Sequence, residues 1–236
     1  GVMSFYSKNA GIKLNNLRGY AVSGAADVTR LALYTDISLD EPIPANADVP
    51  ASDASGNYRN DFATNGSLAT LNRYNGQIYI DEGNLVIDGS TTLNWDAGAA
   101  IATGRYRNFT AKFRVKVANN LYGGGFAAFE FYKSAPDVNH QGSALTITVW
   151  NSGNVGLFVG KDTLTKHGFV ATKDADGYVE LTVTVQNGTI TVASDTQSFT
   201  ARIADLPNNA DLDGGYVSLN AGANTAYFDW FEIKPL

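Results

Sequence analysis

The sequence holds no cysteine, one methionine and two histidines in 236 residues. Without cysteine there are no disulfides, no thiolate nucleophile and no cysteine-ligated zinc. His140 and His167 stand in turn-like contexts, Asp137-Val138-Asn139-His140-Gln141-Gly142 and Thr165-Lys166-His167-Gly168. Histidines in such places are more often solvated than catalytic. No apolar run approaches the roughly 18 residues that a membrane helix requires. Positive charge is short as well: 17 Lys and Arg against 23 Asp and Glu give a net charge of -6. No basic stripe is available to neutralise phosphates, which excludes nucleic acid as a partner. No stretch reads as a long helix, and Ala204-Asp205-Leu206-Pro207 offers one short turn at most.

Several catalytic signatures are missing too. There is no nucleophile elbow, no phosphate-binding loop and no dinucleotide glycine fingerprint. Gly123-Gly124-Gly125 precedes a strand rather than a helix, so it is a turn. Glycoside hydrolysis wants two carboxylates about 5–9 Å apart. Asp81 and Glu82 are consecutive and point to opposite faces, while Glu130 and Glu180 are each alone on their strands. Lys173-Asp174-Ala175-Asp176-Gly177 opens like a calcium loop but lacks its later ligands and its terminal glutamate. Asp61 and Asp229 are the remaining carboxylates offered here as ligands of a structural Ca²⁺.

What is present is turn chemistry and aromatic bulk: 24 Gly, 12 Tyr, 12 Phe and 3 Trp. Short apolar-polar alternations broken by turn residues predict a sandwich of antiparallel strands. The predicted strands are 76–81, 84–88, 109–117, 125–133, 144–150, 154–160, 178–186, 188–193, 197–203, 215–220 and 226–234. Hairpin turns are predicted at Asp81-Glu82-Gly83-Asn84, Asn151-Ser152-Gly153-Asn154 and Gln186-Asn187-Gly188. Near the C-terminus a strand, a small polar turn at Ala221–Asn224 and a second strand read as a closing hairpin. Ala226, Phe228 and Ile233 fall on one side of that last strand, and Tyr227, Asp229 and Phe231 on the other, with an irregularity that implies a bulge.

Gly1–Leu17 lies over Gly215–Phe231 without a gap, with Gly1/Gly215 and Ser4/Ser218 identical and residue classes agreeing elsewhere. This predicts that residues 1–22 are the terminal hairpin of a preceding, similar jelly roll. Residues 23–60 are then a connecting segment, its proline-bearing part 40–57 an extended linker. Residues 61–236 form the main domain. An unpartnered hairpin exposes strand edges, so 1–22 is expected to pair with the sandwich, with a second molecule or with a neighbouring domain.

Alternation assigns the faces. Phe109, Ala111, Phe113, Val115 and Val117 point in, as do Phe129, Phe131, Leu145, Ile147, Val149, Val179, Leu181, Val183 and Val185. The outward rows carry Arg114, Glu130, Tyr132, Trp150, Tyr178 and Glu180. If short connections make these strands neighbours in one sheet, the six side chains share one face. Trp150 interrupts the polar row Thr146, Thr148, and an outward Trp suits stacking on a sugar ring, with edge hydrogen bonds from Glu, Arg or Tyr. An alternative role for Trp150 is to cap the core at the strand end.

Asp61-Phe62, Gly83-Asn84-Leu85-Val86-Ile87, Phe109-Thr110-Ala111-Lys112-Phe113-Arg114-Val115, Gly177-Tyr178-Val179-Glu180-Leu181-Thr182-Val183 and the closing Gly215–Ile233 resemble the concanavalin A-like lectin/glucanase jelly rolls. Within that group they are most similar to carbohydrate-binding modules of bacterial glycan-degrading enzymes. The resemblance implies an all-β, two-sheet antiparallel jelly roll, secretion or display at a bacterial cell surface, and oligo- or polysaccharide binding beside other domains of a larger chain. The paired-acid strand of the glucanases and the Arg-rich and Tyr-Lys strands of the lyases have no match. Non-catalytic carbohydrate binding is therefore the leading expectation, ahead of a jelly-roll glycoside hydrolase or polysaccharide lyase and of a structural or adhesive spacer.

Overall fold

A computed structural model describes residues 56–90, 97–101, 105–118, 124–134, 144–160, 163–208 and 212–236. All of these lie in the unit Val49–Leu236. The expected terminal hairpin 1–22, the segment 23–55 and His140 lie outside the described residues.

Fifteen strands are described. They are β1 (Tyr58–Asn60), β2 (Leu71–Tyr74), β3 (Gln77–Asp81), β4 (Asn84–Asp88), β5 (Ala97–Ile101), β6 (Phe109–Val117), β7 (Phe126–Lys133) and β8 (Leu145–Trp150), then β9 (Asn154–Val159), β10 (Thr163–Val170), β11 (Val179–Gln186), β12 (Thr189–Ala193), β13 (Ser198–Arg202), β14 (Tyr216–Gly222) and β15 (Thr225–Pro235). They form two sheets. One runs β13-β12-β11-β6-β15-β4-β3, with β1 also paired to β15; the other runs β10-β9-β8-β7-β14-β5-β2. This is the two-sheet, all-β sandwich that alternation predicts. The first sheet takes in Tyr58–Asn60, so the sandwich begins three residues ahead of Asp61.

The inward rows of the two sheets meet in one core. Phe113 of β6 lies 5.7 Å from Phe129 of β7, and Phe129 lies 5.6 Å from Phe231 of β15, ring centre to ring centre. Phe109, Phe113, Phe129, Phe131, Phe228 and Phe231 have no exposed surface. Burying side chains of this size contributes about 1.5–3 kcal/mol each, which is why the rings decide how the sheets face.

Turn residues act where expected. Glu82 and Gly83 between β3 and β4, and Asn187 and Gly188 between β11 and β12, all have positive φ (46°, 75°, 49° and 74°). Two successive left-handed residues match the right-handed twist of the flanking strands.

Two expectations need correction. The closing pair of strands is not a hairpin: β14 pairs β7 and β5 in one sheet, while β15 pairs β6, β4 and β1 in the other. The connection is an arch between sheets, with Ala223 at φ 51° and the Asn224 carbonyl accepting from Gly89 N–H at 2.9 Å. Phe231 points inward, because the bulge lies between Phe228 and Trp230 and restores the inward phase one residue later.

Candidate functional site

The six residues expected on one face divide between two sheets. Arg114, Tyr178 and Glu180 belong to the eight-stranded sheet or its margin, Glu130, Tyr132 and Trp150 to the seven-stranded sheet. The reason is topological. β6 and β7 are consecutive in sequence but lie in opposite sheets, so a short connection did not mean adjacency.

On the eight-stranded sheet, Arg114 is fully engaged. Its Nε and Nη2 donate to Asp174 Oδ2 (3.0 and 2.6 Å) and its Nη1 to Asp229 Oδ2 (2.6 Å). The guanidinium lies 4.0 Å from the Tyr178 ring centre, and Lys116 faces the same ring at 4.6 Å. Tyr178 O–H donates to Asn84 Oδ1 at 2.7 Å. Asp174 Oδ1 also accepts the N–H groups of Asp176 and Tyr178, both at 2.9 Å. Burial alone would push the Asp174 carboxyl up, but these donors outweigh it and hold it below the ordinary value. Arg114, Tyr178 and Glu180 line a shallow depression of about 390 Å³. Within it Arg114 is paired with Asp174, which pins the loop before β11 to the sheet. Of the two carboxylates offered to calcium, Asp229 is held by Arg114 and Asp61 accepts from Arg59 Nη2 at 2.7 Å. Neither stands in a group of three acidic or histidine side chains among the described residues.

The outer face of the seven-stranded sheet differs in kind. Its registered rows are Asn72–Ala100–Ser218–Glu130–Thr146–Phe158 and Tyr74–Gly98–Asn220–Ala128–Thr148–Gly156, with Phe126 beside Trp150 and Gly222. Glu130, Thr146 and Ser218 have no exposure, Asn220 has 1 %, and Lys133 and Thr148 have 3 % each. A bulge builds the cluster. Between β7 and β14 the register shifts so that Glu130 faces Ser218 and Lys133 faces Tyr216, leaving one extra residue on β7. Tyr132 takes up that excess with φ 63°. Lys133 is thereby returned to the face that carries Glu130.

Tyr132 itself leaves that face, contrary to its expected place beside Glu130. Its ring packs on Phe131 at 5.4 Å and its O–H donates to the Arg107 carbonyl at 2.6 Å. Burial, with the charge of Asp213, pushes its phenol up to about 12.

Lys133 Nζ lies 3.4 Å from Glu130 Oε2 and donates to Ser218 Oγ (3.1 Å) and Tyr74 O–H (2.8 Å), with the Tyr74 ring centre at 4.4 Å. Ser218 Oγ donates to Glu130 Oε2 at 3.1 Å, and Tyr74 O–H donates to Asn220 Oδ1 at 2.7 Å. Gly98 makes this possible: a Cβ there would run into the Tyr74 phenol and Asn220 Oδ1. Two atoms of the face have no hydrogen-bond partner, Thr146 Oγ1 and Asn220 Nδ2. At the end of the face, Trp150 and Phe158 are half-buried with rings 5.8 Å apart, and side-chain-free Gly156 lies between their rows.

Tyr74, Lys133, Ser218, Asn220 and Phe158 were not singled out from the sequence. One signal was available: Ser218 and Asn220 alternate with Val217, Leu219 and Ala221 in a strand deep in the chain's apolar pattern.

No family model matches the chain, and no curated protein sequence is significantly similar to it. Solved structures are similar in fold. The carbohydrate-binding module CBM66 from Bacillus subtilis is 15 % identical with a TM-score of 0.51, covering 67 % of this chain and 91 % of its own. A protein of unknown function with a galectin-like fold, also from Bacillus subtilis, is 12 % identical with a TM-score of 0.56, over 75 % of this chain and 94 % of its own. A prokaryotic β-1,3-1,4-glucanase (lichenase) derived from a mouse hindgut metagenome is 14 % identical with a TM-score of 0.51, over 76 % and 99 % respectively. With the two antiparallel sheets described above, these likenesses establish the fold as a concanavalin A-like jelly roll.

Proposed function

We propose that this chain is a non-catalytic carbohydrate-binding domain whose site is the outer face of the seven-stranded sheet. The observation that carries the reading is the juxtaposition on that face of two half-buried rings, Trp150 and Phe158, with a row of hydroxyl, amide and carboxylate groups behind them. Sugars present apolar C–H patches and a rim of hydroxyls. A ring to stack on and polar groups to meet the rim are what such a ligand needs. A carbohydrate-binding module and a glucanase among the similar folds support the same reading.

Hydrolysis is the weaker reading. Glu130 is the one carboxylate on this face among the described residues, and it is held by Lys133. Neither a retaining nor an inverting pair can be assembled there from described residues. The same reading puts the chain outside a bacterial cell, next to other domains of a larger protein; the likeness of residues 1–17 to 215–231 supports the neighbouring domain alone.

Isothermal titration of the full chain against soluble plant, host and fructan glycans tests the proposal. One of them binds, and Trp150→Ala weakens it about tenfold, a loss of ~1.4 kcal/mol. Silence across the panel, or an unchanged affinity in the variant, refutes the assignment to this face. Release of reducing ends from the bound polymer would replace binding by hydrolysis.

A further inference from the structure

β11 outruns one of its neighbours. Its register with β12 starts at Thr182, opposite Ala193, where β12 ends and the chain turns away. On the other flank its register with β6 runs on through Glu180, opposite Arg114, to Val179. Glu180 therefore has a strand beside it on one side alone. The depression of about 390 Å³ opens on the free flank, lined by residues 172–174 before β11 and by the turn that carries Ser194 and Asp195. That volume lies within the roughly 300–1,000 Å³ of small-molecule sites. Glu180 and Thr182 point out of β11 on the same face, about 7 Å apart along the strand. Ala193 adds only a methyl group to the floor. Unlike the enclosed polar row on the other sheet, this floor meets solvent: Glu180 is exposed, and Thr182 and Ala193 are half-buried.

The charges around the depression are unequally satisfied. Arg114 is taken up by Asp174 and Asp229. Lys173 Nζ donates to the carbonyl oxygen and to Oδ1 of Asn151 in the turn between β8 and β9. Asp195 Oδ1 accepts from Thr196 Oγ1 at 3.2 Å. The Glu180 carboxylate has neither a hydrogen bond nor an ion pair with any described residue. The lining thus sets three carboxylates against two cations, and both cations are engaged while Glu180 is not. Such a place repels an anion and favours a ligand that brings a positively charged donor. The hydroxyls of Thr172 and Thr182 also line it and have no described partner. A simple alkylammonium, such as a lysine side chain, would leave both unused.

We infer that this depression is a second site, distinct from the Trp150 face, for an unacetylated amino sugar. Its ammonium group donates to the Glu180 carboxylate, its ring lies over Ala193, and its hydroxyls meet Thr182 and Thr172. The choice of a sugar as carrier of the ammonium group rests on the carbohydrate reading above. The site itself rests on the unpaired carboxylate and the space beside it.

The test is backbone amide NMR of the full chain at fixed ionic strength. The probes are D-glucosamine and its short β-1,4 oligomers, D-glucose and N-acetyl-D-glucosamine as neutral counterparts, and Nα-acetyl-L-lysine amide. Glucosamine shifts the signals of Glu180, Thr182 and Ala193 and binds about fivefold more tightly than either neutral sugar. Glu180→Gln removes that advantage, a loss of about fivefold, the upper end for an ion pair open to water. The variant keeps the unfolding midpoint of the parent, because the carboxylate has no partner to lose. Ala193→Leu fills the floor and abolishes binding. Neutral sugars that bind as tightly as glucosamine overturn the ammonium–carboxylate pair. Shifts confined to Trp150 and Phe158, with Glu180→Gln binding normally, overturn the second site and leave the Trp150 face standing. Binding of the lysine derivative without glucosamine overturns the sugar assignment in favour of a protein partner, and binding of no probe overturns the site. Glucosamine bound here, with every glycan silent at Trp150, removes the first reading and not this one.

Discussion

Replacing Lys133 by methionine isolates the ion pair beneath the candidate site. The Lys133 and Glu130 side chains are 2 % and 0 % exposed, and Nζ stands 3.4 Å from Oε2. Methionine keeps the length and apolar packing of lysine but takes away the counter-charge of a carboxylate that has no surface in water. It also removes the donor to Tyr74 and Ser218. Breaking a buried pair from one side costs about 3–5 kcal/mol. For a domain of this size that lowers the thermal midpoint by roughly 6–20 °C. Adding Glu130→Gln to Lys133→Met removes the stranded charge and recovers most of the loss, because a buried pair contributes little net stability over neutral groups of similar shape. Thermal unfolding followed by circular dichroism, with urea midpoints as a check, reads both steps. A single variant that loses under about 1 kcal/mol, as an exposed pair does, refutes the reasoning. Water would then reach the cluster.

Gly98→Val drives a branched side chain into the Tyr74 phenol and Asn220 Oδ1; it destabilises by about 1–3 kcal/mol and releases Tyr74 from Lys133, read as a lowered melting midpoint and a changed Tyr74 ring signal. On the other sheet, the donors from Arg114, Tyr178 and Asp176 lower the Asp174 carboxyl in the folded state. Its contribution to stability is therefore full above the ordinary carboxylate value of 3.8 and is lost as pH falls through the folded value. Asp174→Asn accordingly shows a constant deficit against the parent above that pH and a narrowing one below it, measured by urea unfolding across an acid series.

Period-two patterning made most of the fold legible. β4 and β6 are placed to the residue, and nine other strands to within two residues at each end. Of the four strands that escaped, β1, β2, β5 and β10, three have a plain physical reason to do so. β5 reads Ala97-Gly98-Ala99-Ala100-Ile101, poor in the branched and aromatic residues that mark a strand, because Tyr74 and Asn220 need the space above it. β1 and β2 are too short to show a period. The site was legible in part. Trp150 and Glu130 do belong to one outer face, but Arg114, Tyr178 and Glu180 do not join them, since alternation fixes sides within a strand and is silent on which strands are neighbours. Lys133 could not be placed either. Strict alternation from Glu130 puts it on the inner face, and only the extra residue at Tyr132 turns it back.

The contrast between the two outer faces argues for where function lies. On the eight-stranded sheet Arg114 meets Asp174 and Asp229 in partly exposed pairs: its side chain is 22 % exposed, that of Asp174 43 % and that of Asp229 35 %. Pairs of that kind cost little and contribute little, so they need no explanation beyond pinning the loop before β11. On the seven-stranded sheet a lysine, a glutamate, two threonines, a serine and an asparagine are held almost out of water. A set of apolar side chains at the same positions would fold at least as well, because a half-satisfied polar network is inferior to a greasy one. The bulge at Tyr132 and the glycine at 98 each bring a polar group into that face: the bulge returns Lys133 to it, and the glycine leaves room for the Tyr74 phenol and Asn220. Stability therefore does not account for the arrangement, which is in keeping with the proposed recognition of a hydroxyl-rich molecule. A fixed array of donors and acceptors rejects a ligand that leaves them unpaired far more strongly than an apolar pocket rejects a misfit.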